Sequence, residues 1–294
     1  MVSRSIPRSR GVRRRGAVVI AAVAVVVTLA GCASAVPRAD AALPPPAHGD
    51  AVDLVGLWRV SGAEAESPDT WLRLDAGELH LWRECGPLLG SWQAGGGIIT
   101  ASTWGAAGEC ATDGVPPDVA WLAAATTYQR TDEGWEFRDR DGVPVASLRE
   151  DGAPGTLPTI AEQYARAPVV TERTRAYFTE PPALPDPLIA ADTSSLVGGW
   201  VPASGTASDA HAQFAPDGSW AGSDGCNGGT GRWVLGVDGA FLATAGVSTL
   251  IGCDGVPVPA WVASARLAGF DGHTLVLLDS TGSELGRLEP GAAR

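Results

Sequence analysis

The chain has 294 residues, with 33 acids against 21 bases and a formal charge of −12. Every base is Arg. Six lie in residues 1–31 beside no acid, leaving 15 Arg against 33 acids in the remainder, a net −18. Such a body excludes nucleic-acid binding, which needs a basic footprint, and 45% apolar residues exclude wholesale disorder.

At the N-terminus, Arg13-Arg14-Arg15 precede an apolar run from Ala17 to Ala30, followed by Gly31-Cys32. A charged stretch, a short apolar core and small residues before a cleavage point read as a secretory signal over residues 1–31. The run is shorter than the ~20 residues a spanning helix needs. Leu29-Ala30-Gly31-Cys32 resembles the bacterial lipobox, which implies cleavage before Cys32 and two or three acyl chains on it, enough for stable anchoring. An ordinary signal peptide with an incidental Cys is the plain alternative. Residues 32–51, with Pro44-Pro45-Pro46, read as a flexible tether.

The body is written twice. Leu54-Val55-Gly56-Leu57-Trp58 returns as Leu196-Val197-Gly198-Gly199-Trp200, an offset of 142. Cys85 and Cys226, Cys110 and Cys253, Trp92 and Trp233, and Trp121 and Trp261 repeat at nearly the same offset. A repeat of that length marks two units, at 52–150 and 194–290. Residues 151–193, with Pro181-Pro182, Pro185 and Pro187, read as a Pro-rich linker, or as a strap across one domain.

Each unit shows short apolar or alternating segments bounded by Gly, Asp or Pro, such as Trp135–Asp139 and Thr274–Asp279, which read as strands. Asp217-Gly218 and Asp238-Gly239 suit tight turns. One helix per unit is expected after the second Cys, over Pro117–Tyr128 and Pro259–Phe270. The fold class is therefore mainly β: two small barrel-like domains, each closed by one packed helix. Without Cys32, four Cys permit three pairings. Internal symmetry favours Cys85–Cys110 and Cys226–Cys253, each closing a loop that stabilises its domain by about 3 kcal/mol. No CxxC and no His at zinc-ligand spacing accompany them, so neither a metal site nor a redox pair is expected.

The second unit resembles the META/HslJ domain of bacterial envelope proteins. The resemblance rests on Leu196–Trp200, Phe214 before Asp217-Gly218, Gly225-Cys226-Asn227, Gly231 with Trp233, Thr249 to Cys253, and a closing strand from Leu275 to Asp279. The first unit departs from it: Cys85-Gly86-Pro87 lacks the Asn, and Gly108-Glu109-Cys110 lacks the Thr-led segment, so it reads as a diverged copy. The family implies a small barrel with a packed helix, roles in envelope stress or secretion, and no established reaction. Asn227 is expected to serve structure, since Asn bonds nearby backbone in tight turns.

Chemistry is otherwise thin. His48, His80, His211 and His273 are scattered, and no nucleophile elbow or phosphate loop occurs. Asp224 and Asp254 flank the second Cys pair; they read as solvated loop charges, with a glycosidase-like pair as the alternative. Eleven Trp are many for this length. Trp71, Trp82, Trp104, Trp135 and Trp220 have no repeat counterpart, and Trp71, Trp82, Trp104 and Trp220 are candidates for an exposed binding surface, against the plain alternative of extra packing. The expectation is a non-catalytic, lipid-anchored extracytoplasmic protein, without cofactor or metal, that contacts an envelope protein. The alternative is a binder of a small apolar or sugar ligand through a Trp-lined barrel surface.

Overall fold

Alternation along the strands organises the first half. Leu72 and Leu74 point one way and Trp71 and Arg73 the other; Leu79 and Leu81 oppose His80 and Trp82. In a computed structural model, which describes residues 48–111, 115–155, 161–203, 209–249, 251–252 and 254–291, these segments are β2 (Trp71–Leu74) and β3 (Glu78–Arg83) of a closed antiparallel barrel. The others are β1 (Gly56–Ser61), β4 (Gly86–Gly95), β5 (Ile98–Ala106), β6 (Thr127–Thr131), β7 (Gly134–Arg138) and β8 (Pro144–Arg149). β8 returns to β1, pairing Leu148 with Val60. An eight-stranded barrel is narrow enough for side chains to fill, and Trp58, Leu72, Leu81, Trp92, Phe137 and Leu148 pack inside this one.

The second half repeats this order. β10 (Gly198–Pro202), β11 (His211–Phe214), β12 (Ser219–Ser223), β13 (Gly228–Leu235), β14 (Phe241–Ala243), β15 (Leu267–Asp271), β16 (Thr274–Leu278) and β17 (Glu284–Pro290) form one sheet, joined at its edge by β9 (Ile189–Ala190). The sheet curls into a half-barrel in which Ala240, beside β14, bridges Leu267 of β15 and the Phe241 amide donates to the Arg266 carbonyl at 2.9 Å. Phe214, Trp220, Phe241, Leu275 and Leu288 occupy its inside. The repeated Leu-Val-Gly segments do the same local work: Trp58 Nε1 donates to the Leu54 carbonyl and Trp200 Nε1 to that of Leu196, both at 2.8 Å.

The helices are shorter than the sequence suggests. α1 spans Ala120–Ala124 and α4 spans Val258–Ser264. Tyr128 and Phe270, expected to be helical, lie in β6 and β15, opposite Phe137 and Leu275. Backbone pairing across the sheet outweighs the helical spacing of the apolar residues there.

The segment read as a linker is built onto both sheets. A short 3₁₀ turn at Glu162–Ala165 lies on the outside of β1–β3, where Tyr164 and Ala165 join Leu57, Trp71 and Trp82. α2 (Glu172–Tyr177), opened by a Thr171–Thr174 capping box, leads to Phe178, buried in the first core. Leu184 and Leu188 then cover the outer face of β15 and β16. A fourth short helix, α3 (Thr193–Leu196), opens the second half.

Cys85 and Cys110 form a disulfide. Cys226 is disulfide-bonded as well, while Cys253 and Cys32 lie outside the described residues, as do the signal segment and most of the tether. No helix among the described residues is long and apolar enough to cross a membrane.

Candidate functional site

The turn between β12 and β13 gathers most of the motif residues. Gly225 sits at φ +102°, a left-handed backbone open to glycine. The Asp224 carboxylate accepts the Cys226 and Asn227 amides at 2.7 and 2.6 Å. Those bonds, the Asn227 amide first, hold its pKa below the ordinary Asp value. Asn227 is 8% exposed and fully engaged. Its Nδ2 donates to Asp224 Oδ2 at 3.0 Å and to the Ile251 carbonyl at 2.9 Å. Its Oδ1 accepts Thr249 Oγ1 at 2.8 Å and the Ile251 amide at 2.7 Å. Gly225, Cys226, Asn227 and Thr249 thus come together, and Asn227 ties two separate backbone segments into one knot. Asp224 spends its oxygens on this turn.

The knot holds the loop that follows β14. Ser91 Oγ donates to the Ala245 carbonyl, and Ser102 Oγ bonds Thr244 Oγ1, both at 2.8 Å, so the first barrel braces the start of this loop. The Gly246 amide donates to the Thr230 carbonyl, also at 2.8 Å. A side chain on Gly246 would lie 3.7 Å from Trp104 Cβ. Trp104 is 38% exposed, Val247 70% and Ile251 60%. Beside Trp104 runs a cleft of about 470 Å³ between the two sheets, lined by Ser102, Asp118, Ala120, Thr230 and Arg232. Trp104 and Gly246 line this cleft and Val247 follows Gly246 in the chain; exposed apolar side chains near a cleft are candidates for a contact surface.

Of the four Trp expected at an exposed surface, only Trp104 is there. Trp71 and Trp82 are buried because the Tyr164–Ala165 strap covers the outer wall of β2 and β3. Trp220 points into the second core, its Nε1 donating to the Thr244 carbonyl at 2.8 Å. Trp135 packs edge-on against Tyr128. A Trp-lined barrel surface of the kind expected is therefore not formed. The sequence carried a signal for the cover: Trp71-Leu72-Arg73-Leu74 and Leu79-His80-Leu81-Trp82 are bulky on both faces, as strands buried on two sides are.

Under the strap, His80 packs against Tyr164, the rings tilted by 55° with centroids 4.9 Å apart, and Arg73 Nε donates to the Arg166 carbonyl at 3.1 Å. Burial, aided by Arg73 and opposed by Asp75, lowers the His80 pKa from 6.5 to about 4. The folded chain then resists a proton that the unfolded chain accepts. The contribution of neutral His80 to stability is present above its unfolded value of 6.5 and is lost progressively as the pH falls from 6.5 to about 4. Urea denaturation of wild type and His80→Gln across that window should show a smaller pH slope in the variant; equal slopes would contradict the assignment.

Among the described residues no group of three or more His, Cys, Asp or Glu is placed to hold a metal ion. No family model, curated protein or solved structure matches this chain.

Proposed function

We propose that the chain is an exported, non-catalytic interaction module, anchored by lipid on Cys32 and built from two META/HslJ-like units, the first diverged. It contacts a protein partner of the bacterial envelope, in envelope homeostasis or stress response, through the face carrying Trp104, Val247 and Ile251. The observation that carries this reading is the contrast between side-chain-filled sheet interiors and exposed apolar side chains outside them: Trp104 on β5, and Val247 and Ile251 on a loop braced from both halves. Packed interiors favour recognition at the outside over a ligand held within. The lipobox-like Leu29–Cys32 and the apolar run before it support export and anchoring.

Two results test the reading. Mass spectrometry of the mature protein should find an acylated Cys32 as its first residue; an intact Met1 in the membrane fraction would refute anchoring. Trp104→Ala, Val247→Asp and Ile251→Asp together should leave the thermal midpoint near wild type, since all three are exposed, yet abolish crosslinks to the partner. Unchanged crosslinks would refute the face.

A further inference from the structure

A second cleft between the two sheets, about 400 Å³ in volume, is lined by Thr100, Arg140, Gly218, Arg232 and Trp233 together with three carboxylates. Arg140 lies in the hairpin joining β7 and β8, and Arg232 lies on β13, so each half contributes one guanidinium. Both lean on the same turn: Arg140 Nη1 donates to the Pro216 carbonyl at 2.9 Å, and Arg232 Nη2 donates to the Asp217 carbonyl. Their Nη2 atoms flank Gly218: a methyl group built there would lie 3.0 Å from Arg232 Nη2, 3.4 Å from the Trp233 carbonyl oxygen and 3.6 Å from Arg140 Nη2. Gly218 has φ +82°, so a side chain is disfavoured there and none comes between the two guanidiniums.

Neither guanidinium is ion-paired to a described residue within 4 Å, although three carboxylates share the cleft. Among the described residues, ion pairs engage Arg59, Arg73, Arg83, Arg138, Arg149, Arg166 and Arg287, but neither Arg140 nor Arg232. Two of the cleft's three carboxylates bond groups of their own turns. Asp139 Oδ1 accepts the Asp141 and Val143 amides at 2.9 Å, and Asp217 Oδ1 accepts the Ser219 amide at 2.8 Å and its hydroxyl at 2.7 Å. Burial lowers the Arg232 pKa; Asp217 opposes that, and Arg140 adds to it as a like charge. Two arginines flanking one glycine in a cleft, with donors to spare, match an oxyanion with several acceptor oxygens.

We propose that Arg140 and Arg232 clamp a phosphoryl oxyanion above Gly218, bridging the two halves of the body. Because Asp139, Asp141 and Asp217 share the cleft, the field around it is not cationic, and the anion is held by direct guanidinium contact. A ligand that binds the folded chain across two elements raises its thermal midpoint.

The phosphoryl group has two sources, free phosphate and a lipid headgroup. Thermal melts and calorimetry of the full chain should therefore use inorganic phosphate and, separately, dihexanoyl phosphatidylglycerol below its micelle concentration, against chloride at matched ionic strength. Wild type is expected to show saturable binding and a raised midpoint with at least one of the two. Arg140→Gln, at an exposed site, and Arg232→Gln should each weaken binding at least tenfold. Response to the lipid alone assigns the headgroup, response to phosphate alone assigns the free ion, and response to both assigns the phosphoryl group they share. No saturation by either below about 10 mM, or equal binding by the two variants, would overturn the proposal.

Discussion

Trp92→Ala should destabilise the protein by about 4 kcal/mol, the largest loss expected from any exchange considered. Trp92 is fully buried at the centre of the first barrel, and its Nε1 donates to the Asp75 carbonyl at 2.6 Å. Its ring lies 5.2 Å from that of Phe178, so it also anchors the end of the strap. The truncation opens a cavity, strands a carbonyl and frees the strap together. Trp92→Phe keeps most of the volume but leaves the carbonyl without its donor, and should cost about 1–3 kcal/mol beyond the lost packing. Trp104→Ala, at an exposed ring, should cost less than about 1 kcal/mol. Urea denaturation decides the matter: Trp92→Ala and Trp104→Ala with equal midpoints would refute the placement of the two rings. Amide exchange should also show residues 172–178 losing protection in Trp92→Ala.

Asn227→Ala should cost about 2–3 kcal/mol. The change removes four side-chain hydrogen bonds and leaves the Ile251 amide and carbonyl without partners, each loss worth about 1 kcal/mol and partly recovered by water. Asn227→Asp is the sharper variant. It keeps the shape but replaces two donations with a carboxylate facing the Asp224 carboxylate, so it should be no more stable than Asn227→Ala. In Asn227→Ala the Ile251 amide should exchange faster, and in both the contact face should weaken although no exposed residue has changed. An unaltered Ile251 amide would show that the knot does not hold the loop.

The repeat was legible because each copy makes its own bonds. The two Leu-Val-Gly segments place Trp58 and Trp200 identically, and the Asn227 turn was legible for the same local reason. What was not legible depends on distant partners. Trp71 and Trp82 look free because the residues that cover them lie some ninety positions later, in a stretch that reads as a spacer. Tyr128 and Phe270 look helical because apolar spacing carries no trace of the neighbouring strand that claims them. Arg140 and Arg232 carry no mutual signal at all, since only the packing of one half on the other brings them to Gly218.

The contact face is tested most directly by photo-crosslinking in cells, with a photoreactive residue at Val247 in the anchored protein and a second at Val143, which is also exposed and lies in the β7–β8 hairpin. The account predicts a discrete crosslinked species from Val247, absent from Val143 and lost in Asn227→Ala. Equal species from both positions, or a Val247 species that survives Asn227→Ala unchanged, would contradict it.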